Sequence, residues 1–527
     1  MFSKVNKKSF EIKVILLISL LYTIAFGLIL FNKGLFFDDW VHFNQSFSTR
    51  LNEFKESGVL LYLPAYLYTF TFGKSIIFGR ILIFFSFLLS AFLLYLILKK
   101  IKEIDSNSRL FIILFFTLFP LNFARIAWCT FFYSFCYLLF YLGFWLISVY
   151  LERKLLFIRI LALVILFFSL TTNSLLVFYA VPILYIFYYE KNNTKGFLSL
   201  IKKMLKYADF ILLPIFFWII DNFFFKPYGM YTTYNKIGLN DIFLFPKFSV
   251  IAFKNCFIYI IDKSSKILYS YTFIIIATSL ILFLFLKYLY MYYKENQRKD
   301  LWLLFFGVIA FLIAVLPYFV VGKMPDSFKS ISRHQLLFPL GLSFILYYGL
   351  KIFFNLLRIN HRIKFFIYSL IIVFFIATNF FAYLEFQKDY FKQISMIENI
   401  ESSEIIKNNT TFLFKDNTLD LNAQQRDIGF DEYNGMMKLV FKDETRFGVD
   451  DTFGYNSPAY LQEYINRPQY NFSEYKPKFP DYTVIIDYGK YHLSTKNTFL
   501  LIYNDLFDKQ RFEEDIKNIL SLSYDKL

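Results

Sequence analysis

The stretch IIFGRILIFFSFLLSAFLLYLIL, Ile76 to Leu98, holds one charged side chain, Arg80, in an otherwise apolar run. A helix needs about 20 such residues to cross the hydrocarbon of a bilayer. Phe273 to Leu289 reads the same way, and a water-soluble fold would have nowhere to bury either run. Hydrophobic residues make up 57% of the 527-residue chain and aromatic ones 23%. The charged residues gather in short clusters between apolar runs, which is the composition of a membrane protein.

Working outward, the apolar runs predict an all-α polytopic protein with about eleven transmembrane helices, near 12–31, 76–98, 110–127, 130–150, 156–171, 174–189, 207–225, 270–291, 301–321, 336–356 and 363–383. The first run follows Lys4, Lys7, Lys8 and Lys13 and lacks a small-residue cleavage site, so it reads as a retained helix, not a removable signal. With the N-terminus in the cytoplasm, each inside connection carries at least three basic residues, such as Lys99, Lys100, Lys102 and Arg109, or Lys351, Arg358, Arg362 and Lys364. The short turns near Arg125 and Thr171 to Ser174 carry one and none, as the loop-charge rule expects of outer turns. This predicts a multi-pass protein of a plasma (inner) membrane with its C-terminus periplasmic or extracellular. The net charge of +16 is accounted for by that topology, so nucleic acid is not an expected partner. Cys129, Cys136 and Cys256 show neither disulfide-framework nor metal spacing.

Two outer connections, 32–75 and 226–269, are too long for simple turns. Val59 to Phe72, which contains Pro64, and Phe248 to Ile261 are each too short to span and are expected to lie at the interface. From Glu385 the composition turns polar. The expected division is a membrane domain, 1–384, and a small soluble α/β domain, 385–527, with strands at Thr411 to Phe414, Tyr482 to Asp487 and Thr498 to Tyr503 and a helix from Arg511 to Leu522.

The residues most suggestive of chemistry are Phe37-Asp38-Asp39-Trp40-Val41-His42, just beyond the first span. Adjacent carboxylates at a membrane edge repel each other and are costly to desolvate, so they are most readily kept where one works as a base or metal ligand. A solvated acidic loop is the plainer alternative, and the surrounding Phe36, Phe37 and Trp40 argue against it.

A first helix followed by an outer loop opening on an acidic pair, then many helices and an outer soluble domain, resembles the membrane glycosyltransferases of fold class C, the group of protein O-mannosyltransferases and aminoarabinose transferases. The resemblance covers the arrangement of residues 1–384 and rests on the Asp38-Asp39 motif. It implies transfer of a sugar from a polyprenyl-phosphate donor to a hydroxyl of a glycan, lipid or protein acceptor at the outer face. The acceptor hydroxyl needs a carboxylate to take its proton, and either Asp38 or Asp39 can serve, the other orienting it, holding a divalent metal such as Mg or Mn, or capping the next helix. The donor phosphate needs outer-side positive charge, for which Lys323, Arg333 and His334 are the candidates and Arg125 a weaker one. His42 is a possible second base or metal ligand, Asp221 a possible substrate or metal group with a helix-end hydrogen bond as its plainer role, and Tyr231, with Tyr228 and Tyr234, a possible sugar-stacking surface. The rival readings are a flippase or transporter of lipid-linked glycans, which would want ionisable groups along its spans, and a polysaccharide polymerase or ligase.

Overall fold

The computed structural model describes residues 7–73, 75–192, 197–233, 238, 242–289, 297–450, 465, 470, 472, 474–476 and 478–527. Helix α1 (Lys7–Phe26) is prolonged by a 3-10 turn to Phe31, and three short helices follow: α2 (Asp39–Asn44), α3 (Phe47–Glu56) and α4 (Leu63–Phe72). The bundle continues through α5 (Ile76–Leu98), α6 (Ser106–Leu118), α7 (Phe131–Arg153), α8 (Leu156–Ser169), α9 (Ser174–Phe178), α10 (Ala180–Asn192), α11 (Phe197–Met204) and α12 (Ala208–Phe224). It closes with α13 (Phe245–Leu289), α14 (Gln297–Val320), α15 (Phe338–Leu356) and α16 (His361–Glu401).

The protein is a helical, multi-pass membrane protein. Among the described residues, eight helices are long and apolar enough to cross a bilayer: Phe10–Phe31, Ile76–Leu98, Trp128–Arg153, Lys202–Phe224, Ile267–Leu289, Lys299–Val320, Phe338–Leu356 and His361–Glu401. The other three expected spans are shorter as helices. α6 has 13 residues and α8 has 14, while 174–189 divides into α9 and α10. At 1.5 Å per residue, 13 residues reach only about 20 Å.

The expected interfacial segment at Val59 to Phe72 contains α4, with Pro64 in its first turn, where a missing N–H costs nothing. The second one differs from expectation. Phe248 to Ile261 lies in the first of two helical parts of α13, joined to the second, which holds the next span, at a kink at Tyr271 (φ −134°, ψ 18°) with no loop between them. No Gly or Pro stands between Lys247 and Leu289, so the kink is not made by a helix-breaking residue.

Contacts define two ends of the bundle. At one, Glu152 near the end of α7 meets Lys100 beyond α5 at 2.9 Å, Arg159 of α8 pairs with Asp209 of α12 at 2.7 Å, and Tyr207 donates to Glu190 of α10 at 2.6 Å. At the other end lie the loop after α1, the chain between α6 and α7, and the 3-10 turn Ser330–Gln335 before α15. There the Trp128 amide donates to Asp39, and the Ala124 amide donates to Ser332 Oγ at 2.8 Å.

The smaller domain sits at the Asp38 end. After α17 (Glu404–Asn408) come β1 (Thr411–Asp416), α18 (Phe430–Phe441), β2 (Phe447–Asp450), β3 (Tyr482–Tyr488), α19 (Thr495–Phe507), α20 (Lys509–Lys517) and β4 (Leu520–Lys526). Sheet order is β2-β1-β3-β4, with β1 parallel to both neighbours and β4 antiparallel to β3.

Two of the expected strands are present. The third, Thr498 to Tyr503, is helical within α19: Thr498, Leu501, Asn504 and Asp505 are buried at helical spacing, and Ser494 caps the helix by accepting from the Asn497 amide. A short apolar run fits either period, and here the cap and packing choose the helix. The expected helix Arg511 to Leu522 stops at Lys517, and Leu520 opens β4.

The division at 384/385 falls inside α16, which continues unbroken to Glu401. Beyond the division its buried Asp389, Lys392 and Gln393 meet polar partners in place of lipid. The composition changes because the helix's surroundings change.

Candidate functional site

The loop between α1 and α2 is pinned from three sides. Asn32 Nδ2 donates to the Phe386 carbonyl of α16 at 2.9 Å, Arg80 Nη2 of α5 donates to the Gly34 carbonyl at 2.7 Å, and the Leu35 amide donates to Gln393 Oε1 at 3.1 Å. Phe37 then takes a left-handed conformation (φ 57°), which costs an L-residue of this kind about 1–2 kcal/mol. This turn separates the two aspartates that follow.

Asp39 faces inward and is wholly buried. Its Oδ2 accepts from the amides of Phe36 at 3.0 Å and Trp128 at 2.8 Å, and its Oδ1 from the Cys129 amide at 2.6 Å. Arg80 Nη2, also fully buried, lies 3.9 Å from the same carboxylate. Burial pushes the Asp39 carboxyl above its ordinary range, against the opposing pull of Arg80 and the three amides. Asp39 thus staples the first loop to the start of α7. Close approach of that start to α5 depends on Gly79, where a Cβ would stand 2.3 Å from Trp128 Cδ1.

Asp38 faces outward, with its side chain 61% exposed, and its Oδ2 lies 3.5 Å from Arg333 Nη1 on the turn before α15. An ion pair this open contributes little to folding, at most about 1 kcal/mol. Asp431, half-buried at the start of α18, stands near enough for Asp38 to act on its charge. Burial first, then the charges of Glu432 and Asp38, hold its carboxyl well above the usual range.

Among the donor-phosphate candidates, Arg333 is at the site. Lys323 and Arg333 also bear on His334, whose pKa is pushed down to about 3 by burial and then by those two cations. His334 is therefore neutral near pH 7, with its ring 5.0 Å from that of Tyr318, and it offers a neutral imidazole where a cation was expected. Arg125 is buried, donating to the carbonyls of Asn122 at 3.1 Å and Leu121 at 2.8 Å, with its guanidinium over the rings of Phe26 and Phe87. Those contacts are what holding the turn after α6 requires.

The remaining candidates lie elsewhere. His42 Nδ1 is 3.2 Å from Gln45 Oε1 and 3.7 Å from Glu53 Oε2. Tyr231 donates to Glu53 Oε1 at 3.0 Å, so this histidine and tyrosine share a polar knot joining the two long loops. Arg50 completes the knot, donating to the carbonyls of His42 and Gln45. Asp221 stands in the last turn of α12, its carbonyl accepting from the Phe225 amide at 2.9 Å. Tyr234 lies outside the described residues.

The smaller domain covers the site. Trp40 of α2 packs against Gly435 of α18, where a Cβ would meet Trp40 Cε3 at 2.6 Å. Arg426, wholly buried, donates to both oxygens of Asp389 in α16, at 2.8 and 3.1 Å, and is chelated by Glu432 of α18 on its other side. Its guanidinium lies 5.7 Å from the ring centre of Phe36 and 5.4 Å from that of Phe37. The Lys329 amide donates to Gln424 Oε1 at 2.6 Å, tying the Arg333 turn to the same domain.

Sequence reasoning marked Arg80 as out of place in a span but gave it no task, and its task is to hold the Asp39 loop. Asp431 gave no signal, because only the docking of α18 brings it near Asp38. Among the described residues no three His, Cys, Asp or Glu side chains converge as a metal site. No family model matches the chain, nor does any curated protein or solved structure.

Proposed function

We propose that the protein is a membrane glycosyltransferase with the layout of fold class C, using a polyprenyl-phosphate sugar donor and an acceptor hydroxyl at the outer face of the plasma membrane. The observation that carries this reading is the division of labour in the aspartate pair: Asp39 is taken up by three backbone amides and the charge of Arg80, and Asp38 is left at the surface opposite Arg333. An exposed carboxylate held there against an expensive backbone turn is better explained by use than by stability.

In the proposed reaction the acceptor oxygen attacks the anomeric carbon as the carbon–oxygen bond to the phosphate breaks, and that electron pair leaves with the polyprenyl phosphate. Asp38 takes the acceptor's proton. Arg333 holds phosphate oxygens through its planar fork, Lys323 adds charge to the leaving group, and neutral His334 donates or accepts one hydrogen bond. Single displacement inverts the anomeric centre.

The topology that goes with this reading has eleven crossings, the N-terminus in the cytoplasm, and the smaller domain on the outer side. An odd number follows from letting α6 with its 119–127 tail, α8, and α9 with α10 each cross between the two ends that the contacts define. α6 fits such a crossing because it is buried among other helices and need not match the lipid thickness alone, while α8 buries one face through Ala162, Leu166 and Ser169.

The test is transfer of radiolabelled sugar from polyprenyl-phosphate donors to acceptors extracted from membranes, by the wild type and by Arg333→Ala and Arg333→Lys. Transfer by the wild type, with a raised donor KM in Arg333→Ala partly restored in Arg333→Lys, supports the reading. Wild-type protein that transfers nothing from any such donor, yet moves the lipid-linked sugar across vesicles, would overturn it in favour of the flippase.

A further inference from the structure

Helix α19 shows an apolar face on the wrong side for a soluble domain. Its inner face is buried through Thr498, Leu501, Asn504 and Asp505. The outer face carries Phe499, Tyr503, Leu506 and Phe507, at spacings of four, seven and eight residues that align them along one stripe. Tyr503 is 57% exposed, Leu506 51% and Phe507 73%. A stripe of that kind marks an interaction surface.

Two contacts fix the height of α19 relative to the bundle. The Phe499 ring stacks on that of Phe380 with centroids 6.0 Å apart, and Phe380 lies in the apolar stretch of α16 that precedes the polar residues from Glu385. Lys33 Nζ, two residues past the end of the Phe10–Phe31 span, pairs with Asp505 Oδ2 of α19 at 2.8 Å. A narrow crevice between them is lined by Leu30, Phe31, Ile77, Ile502 and Leu506. The exposed stripe is therefore continuous with exposed Phe31, Ile81 and Phe85 on α1 and α5, the surface that faces lipid. Lys33, Lys496 and Lys509 border it.

We propose that α19 is an interfacial helix. It lies in the boundary between headgroups and acyl chains of the leaflet on the Asp38 side, with Phe499, Tyr503, Leu506 and Phe507 among the chains and the three lysines at the phosphate level. The smaller domain is then held over the site by the bilayer as well as by α16. This stands whether or not the chain transfers sugar.

The test uses the full chain in vesicles of phosphatidylcholine and phosphatidylglycerol. Cys129, Cys136 and Cys256 are all buried and stay in place, and a spin label is attached through Tyr503→Cys, Phe507→Cys or, as a control on exposed α20, Glu513→Cys. The expected result is relaxation of the first two labels more by oxygen than by an aqueous nickel chelate, with the reverse for the third. Labels at 503 and 507 that respond like the one at 513 would overturn the assignment. So would labels shielded from both reagents, which would mean that protein, not lipid, covers the stripe.

Discussion

Asp38 and Asp39 are neighbours in sequence and opposites in structure. The inner shell around Asp39, with Arg80 and the amides of Phe36, Trp128 and Cys129, is shut from solvent. The outer rim around Asp38 holds an open carboxylate, a partly exposed Arg333 and the half-buried Asp431. Asp39 is held by the fold it helps to build, whereas an exposed carboxylate such as Asp38 contributes little to stability. The shell gives the rim a fixed floor.

The largest effect is expected in the shell. Asp39→Ala strands the Arg80 charge and three amides, and should cost about 3–5 kcal/mol, read as a lowered thermal unfolding midpoint in detergent. A normal midpoint would erase the distinction between shell and rim. Gly435→Ala should come next, because the new methyl group would press on Trp40 and lift α18 from α2, costing about 1–3 kcal/mol.

A pH effect separates the two regions in another way. Asp431 has its pKa raised in the folded chain, so above about pH 4, the ordinary carboxylate range, the folded state keeps a proton that the unfolded chain has released. Stability should therefore fall as pH rises, until the folded chain releases that proton as well. Asp431→Asn should flatten this loss, seen in midpoints measured across a pH series, and an unchanged slope would place its source elsewhere. The smallest expected effect is in the rim itself: Asp38→Ala should change stability by about 1 kcal/mol or less, since its side chain is 61% exposed.

Much of this comparison was hidden in the sequence for physical reasons. The long apolar runs announced the membrane helices because lipid imposes composition over twenty residues at a time. The Asp-Asp pair was visible, but not which member faced inward, since that depends on the left-handed turn at Phe37 and on amides of Trp128 and Cys129 far along the chain. Arg80 was conspicuous as a lone charge in a span, while its partners were not. His334 looked like a cation until burial and two neighbouring cations were taken together. The end of the membrane part was set at Glu385 because polarity changes there, although α16 carries straight through. Local composition reports the surroundings of a helix better than its ends.

In the proposed mechanism Asp38 takes the acceptor's proton while Asp39 only builds the floor beneath it. The most direct test is sugar transfer from a polyprenyl-phosphate donor by Asp38→Asn, at matched insertion and with an unfolding midpoint equal to that of the wild type. The expected result is a loss of about a hundredfold or more in a protein that is otherwise intact. Wild-type transfer by a folded Asp38→Asn variant would contradict it.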